Sequence, residues 1–191
     1  MEADCFITDF LQRPFDLVKL KKAFTKWQTK MYGKGWNALY MENHDHPRII
    51  SRYGSEKYRV ESGKSIAASY LFQRGTPFVY QGQEIGMINT PLASLDDYKD
   101  IMVKNNARIA RSLGLSKETV LRLAQKASRD NARTCMQWSG APNAGFTNGK
   151  PWFVVNSNYK DINVESQLDD PGSILNFYRN ALQFRRDNPV V

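Results

Sequence analysis

Histidine and cysteine are scarce in this chain, with two of each among 191 residues. Cys5 and Cys135 stand far apart in no pair motif. That excludes a disulfide framework and fits a reducing compartment, so a cytoplasmic protein is expected. No stretch stays apolar for the roughly 18 residues that a membrane-spanning helix needs, and the first thirty residues hold no apolar run of signal-peptide length. No membrane partner is therefore expected. Acidic residues are outnumbered, 19 to 27, which leaves a formal charge of +8. Such an excess favours anionic partners, but the positive residues are scattered. The densest run, Lys19, Lys21, Lys22, Lys26 and Lys30, lies on a segment of helical pattern and reads as a solvated face. No nucleic-acid partner is expected. Internal repeats and low-complexity segments are also missing.

What is present suits one domain or a large piece of one. Hydrophobic residues make up 41% and aromatic residues 12%, enough to bury a core. Asp16 is a good N-cap, and Leu17, Leu20, Phe24, Trp27 and Met31 follow at helical spacing until Gly33 and Gly35 end the run. "WNALYME" reads as a buried strand that enters the polar "NHDHPR". "YRVESGKSIAASYLFQRG" reads as a helix stopped by Gly75, and Phe78 to Tyr80 as a second strand that turns polar at Gln81. Helices alternating with strands argue for parallel βα units, whose ligands bind beyond the C-terminal strand ends. "NHDHPR" and "QGQE" should then share one face. Residues 89–171 break this rhythm with two helices, the second capped by Ser116, and a long stretch rich in Asn, Gly and Pro that reads as ordered loop. A last helix follows from "SILNFYRNALQFRRD".

Both histidines lie in His44-Asp45-His46, with Arg48 beyond Pro47. Three readings compete. A zinc site needs three or four ligands, and no third histidine or suitably spaced cysteine exists. A hydrogen-bonded turn before Pro47 is the plain alternative. The third is a carboxylate-histidine site at a strand end, where Arg48 or Arg129 can keep Asp45 ionised. Asp130 and Glu84 are further acids in polar segments. Their plain readings are a turn cap for Asp130 and pairing with a nearby base for Glu84.

A resemblance separates these readings. "NHDHPR" resembles the N-H-D-x-P-R segment of the α-amylase superfamily of glycoside hydrolases, and "GTPFVYQGQEIGM" resembles its eighth barrel strand and the turn after it. "SRDNARTCMQW" and "NAGFTNGKPWFVVNSNYKDINVE" are similar to the oligo-1,6-glucosidase and α-glucosidase branch. The likeness runs from about Pro14 to Val191. Two positions depart from the pattern: Cys135 stands where proline is usual, and His46 where glutamine is common. The resemblance implies the C-terminal portion of a (β/α)8 barrel. Residues 14–88 would run from helix six to strand eight, 89–171 would form an insertion after strand eight, and 172–191 would be helix eight, with no C-terminal β domain. It implies Asp45 as transition-state stabiliser and His44 and Arg129 as substrate-binding residues, acting on an oligosaccharide without cofactor or metal.

The same resemblance implies that the nucleophilic aspartate and the acid/base glutamate follow strands four and five, ahead of everything here. The expectation is a partial barrel, inactive alone, belonging to an enzyme that hydrolyses α-glucosidic bonds, α-1,6 first, with retention. Its exposed strand edges predict self-association or docking of the missing barrel half. The rival expectation is a catalytically dead carbohydrate-binding or interaction module.

Overall fold

The computed structural model describes residues 15–188. Cys5, Pro14 and the last three residues of the expected final helix segment lie outside the described residues.

Helix α1, Leu17–Met31, starts where expected, because the Asp16 carboxylate accepts the Lys19 amide, and stops at Tyr32 ahead of Gly33. Strand β1 is shorter than the apolar run suggests and comprises Ala38–Leu39. Helices α2, Ile49–Tyr53, and α3, Arg59–Leu71, carry the chain across to β2, Thr76–Pro77. The two strands pair in parallel, with Ala38 opposite Thr76 and Leu39 opposite Pro77. Strand, helical crossover and parallel strand form the βα unit that the alternation predicts.

Two local expectations are corrected. The second strand was expected at Phe78 to Tyr80 but pairs at Thr76–Pro77. Thr76 and Phe78 donate to Asn37 O and Leu39 O at 2.8 and 2.7 Å. Pro77, between these donors, has no N–H, and the ladder to β1 asks for none there. The chain has already turned at Tyr80, whose carbonyl accepts the Gln83 amide. Gly75 does not stop α3, which ends at Leu71. Gly75 instead sits at φ +149 with no room for a side chain: a Cβ would lie 2.6 Å from Asn37 O. Its role is the close approach of β2 to β1.

Helix α4, Ile101–Ser112, and helix α5, Lys117–Ala127, form a pair capped by Asp100 and Ser116. Their contact buries Val103, Ala107, Val120 and Ala124 beside Phe153. Residues 128–171 are ordered, as expected, but less by helix than by buried amides. Asn131, Asn156, Asn163, Gln137 and Gln167 lie inside and donate to backbone carbonyls, which gives an irregular path partners that no helix or ladder supplies. This stretch also includes helix α6, Glu165–Leu168. Helix α7, Ile174–Asp187, is capped by Ser173 and packs on α3 around Ile50, Ala67, Tyr70, Leu71, Tyr178 and Ala181. Among the described residues no helix is long and apolar enough to cross a membrane.

Candidate active site

The loop after β1 is clasped at its base. Buried Glu42 accepts the Ile49 amide through Oε1 at 3.0 Å, so residues 42 and 49 are tied across the loop. Inside it, the Asp45 amide donates to Asn43 Oδ1 at 2.8 Å, an Asx turn that bends the chain outward. Pro47 and Arg48 turn back into the interior. The His44 and Asp45 side chains are therefore left outside, 67% and 50% exposed.

The facing wall follows α5. Ser128 accepts the Asp130 amide and starts a 3-10 turn, Arg129–Ala132. Arg129 and Arg133, four residues apart, both reach Asp45 Oδ1, at 3.3 and 3.2 Å. Arg133 Nε also donates to the His44 carbonyl at 3.0 Å. The other oxygen, Asp45 Oδ2, lies 3.4 Å from His44 Nε2. The structure thus brings together His44, Asp45 and Arg129.

Arg129 is itself held from behind. Its Nε and Nη2 donate to the two carboxylate oxygens of Asp100 at 2.7 and 2.6 Å. Burial pushes the Asp100 carboxyl up, but the bonds from Arg129 and from the Met102 amide outweigh it and hold the group below the ordinary carboxylate range. The bond to Asp100 likewise raises Arg129 above its ordinary value. Asp130 is not the turn cap of its plain reading, a place that Ser128 takes, but a backbone anchor: Oδ2 accepts the amides of Lys99 and Asp100 at 2.8 and 3.0 Å.

Arg48 does not serve Asp45. It is wholly buried beneath the loop, donates to Gln81 O at 2.7 Å and lies 3.6 Å from Glu42 Oε2. Burial raises the Glu42 carboxyl to about 7, against the pull of Arg48 and the Ile49 amide. Glu84 makes no ion pair among the described residues, contrary to its plain reading. Burial pushes its carboxyl up as well, and its Oε2 has no hydrogen-bond partner. Gln83 donates to Tyr178 Oη at 2.9 Å and Tyr70 Oη at 3.3 Å, within the core.

Sequence reasoning missed Arg133, Asp100 and Glu42. Arg133 had a signal, the four-residue spacing in R-D-N-A-R that places two arginines on one side of a turn. Asp100 and Glu42 had none, since both are recognised only by what they grip at a distance. Chemically, the site offers one carboxylate oxygen neutralised by guanidinium donors and one open oxygen beside an imidazole. Such a mixed donor and acceptor surface suits a neutral ligand rich in hydroxyls. Among the described residues no group of three His, Cys, Asp or Glu side chains is placed to hold a metal ion.

Comparison with known proteins agrees with this chemistry. The description "Alpha amylase, catalytic domain" matches residues 6–191, so the chain belongs to the α-amylase catalytic-domain family. It is 46% identical over 181 residues to an oligo-1,6-glucosidase from Parageobacillus thermoglucosidasius, covering 94% of this chain and 32% of that protein. It is 41% identical over 180 residues to the trehalose-6-phosphate hydrolase of Bacillus subtilis, covering 93% and 32%. Among solved structures, the trehalose-6-phosphate hydrolase of Bacillus licheniformis superposes with a TM-score of 0.89 at 44% identity, covering 93% of this chain and 32% of that one. The chain spans about a third of the length of these relatives.

Proposed function

We propose that the chain supplies one wall of the glucose subsite in a retaining α-glucosidase that acts on short oligosaccharides, α-1,6-linked ones first. In this reading it contributes the seventh and eighth strands of the barrel with the segment after them. A cytoplasmic setting belongs to the proposal and is supported by the free, buried Cys135. The observation that carries it is the half-exposed Asp45, braced at Oδ1 by two guanidinium groups and open at Oδ2 beside His44.

The chemistry follows from that geometry. The transition state of glycoside cleavage carries positive charge on the sugar ring. A fixed carboxylate beside the ring stabilises that charge as it develops. Hydroxyl contacts from Asp45 and His44 that tighten at the same moment lower the barrier. Arg129, anchored by Asp100, holds Asp45 Oδ1 and lines the subsite. The covalent step needs a nucleophile and an acid from elsewhere in the barrel. The 191-residue chain alone is therefore expected to bind glucose weakly and to hydrolyse nothing.

The test pairs two measurements on this chain. Glucose and isomaltose binding is followed by NMR for the wild type and Asp45→Asn, alongside hydrolysis of an aryl α-glucoside. Loss of binding in Asp45→Asn with no turnover by either protein is the expected result. Equal binding by both proteins would sink the subsite, and turnover abolished by Asp45→Asn would overturn the placement of the nucleophile outside this chain. A second reading, an interaction module without catalysis, draws on the exposed Trp27, Trp36, Tyr40 and Phe78. As the catalytically dead carbohydrate-binding or interaction module, it predicts no hydrolysis even when the missing barrel half is supplied.

A further inference from the structure

Two arginines reach the same oxygen of Asp45, but they are held differently. Arg129 is fixed by Asp100, which takes its Nε and Nη2 and leaves Nη1 to touch Asp45 at 3.3 Å. It forms a charged wall set from the N-terminus of α4. Arg133 grips the loop itself. Its Nε holds the His44 carbonyl at 3.0 Å while its Nη2 holds Asp45 Oδ1 at 3.2 Å. One rigid, planar fork thus spans the backbone of one residue and the side chain of the next.

That grip has a geometric consequence. An exposed aspartate samples several rotamers, and a free carboxylate offers either oxygen to either neighbour. With Oδ1 tied to a guanidinium that is itself tied to the preceding carbonyl, the carboxylate plane is fixed relative to its own backbone. Oδ2 then stays beside His44 Nε2, at 3.4 Å. The Glu42 clasp beneath fixes the base of the loop, at Ile49, and does not reach the carboxylate.

We infer that Arg133 is a positioning residue that aims Asp45 Oδ2, together with the His44 imidazole, at the sugar by holding His44 O and Asp45 Oδ1 in one fork. The inference rests on the reading of Asp45 and His44 as the sugar-facing pair. Arg133 acts through them and touches no substrate itself. Lysine at this position keeps the charge but cannot supply two coplanar donors, so it separates aim from charge.

The experiment uses the full chain with Arg133→Lys and Arg133→Gln. With two histidines in the sequence, imidazole NMR signals resolve easily. His44 reports glucose binding, and His46 with circular dichroism reports the fold. Both variants are expected to stay folded and to lose at least about tenfold in glucose affinity, because a charge-assisted fork is lost in each. Wild-type affinity in Arg133→Lys would show that charge suffices and would overturn the inference. The Arg133 guanidinium signals are read as well. They are expected to show hindered rotation in the wild type and freer rotation in Asp45→Asn. Free rotation in the wild type overturns the fork. Hindered rotation without any glucose binding by the wild type keeps the fork and instead removes the subsite reading.

Discussion

Glu42 shows how a single residue can tie the site to the solution around it. Its Oε1 accepts the Ile49 amide, and its Oε2, 3.6 Å from Arg48 Nη1, has no hydrogen bond. Burial raises its carboxyl to about 7, whereas in the unfolded chain it titrates near 4.5. The folded state therefore keeps a proton that the unfolded chain gives up first. The resulting stability is fully present below pH 4.5 and is lost as pH rises through 7. A gap of that size corresponds to about 3 kcal/mol. Glu42→Gln keeps an oxygen for the Ile49 amide and cannot ionise. Urea unfolding between pH 5 and 7.5 should show the wild type losing stability relative to Glu42→Gln as pH rises. Parallel profiles for the two proteins would show that Glu42 does not titrate in this window.

At the scale of elements, the sequence revealed more about helices than about strands. Caps marked α1 and α5 because those signals are local: Asp16 and Ser116 each bond an amide three residues on. The second strand was misplaced, and the first overextended, because a ladder is set by its partner. Nothing in "TPFVY" says that Thr76 rather than Phe78 begins the pairing. The candidate site divides in the same way. His44, Asp45 and Arg129 were legible through a motif, whereas Asp100 and Glu42 act across 29 and 7 residues and leave no local pattern. Gly75 turned out to be a packing position rather than a helix stop. Gly75→Ala would force a Cβ against Asn37 O, the acceptor for Thr76, and would also strain a backbone at φ +149. Arg185 of α7 donates to the Gly75, Gln73 and Leu71 carbonyls, so the shift would spread to the α3–α7 contact. Destabilisation of about 2 kcal/mol in urea unfolding is expected. A variant as stable as the wild type would remove the close-approach account.

Across the whole molecule, burial is unevenly shared. The contact of α3 with α7 encloses Ala67, Tyr70, Leu71, Tyr178 and Ala181, and the α4–α5 pair encloses Val103, Val120 and Ala124. None of the residues of α1 is buried, and Leu17, Val18 and Trp27 on it are exposed. Its described attachment runs through Gln28, which exchanges bonds with the Arg74 backbone at 3.0 and 3.2 Å. A helix of 15 residues whose inner face, Leu20, Phe24, Gln28 and Met31, is only half-buried is marginal by its own hydrogen bonds. Opening free energies should therefore differ sharply within one chain. Hydrogen exchange followed residue by residue should find α1 amides exchanging orders of magnitude faster than those of Ala67, Tyr70 and Tyr178. The solution mass gives the result its meaning. A monomer with a fast-exchanging α1 fits a helix whose apolar side waits for the rest of a barrel. Protection of α1 equal to that of α3 in a monomer would contradict the unequal burial of the two helices. The same protection at twice the monomer mass would mean that a second copy covers the face.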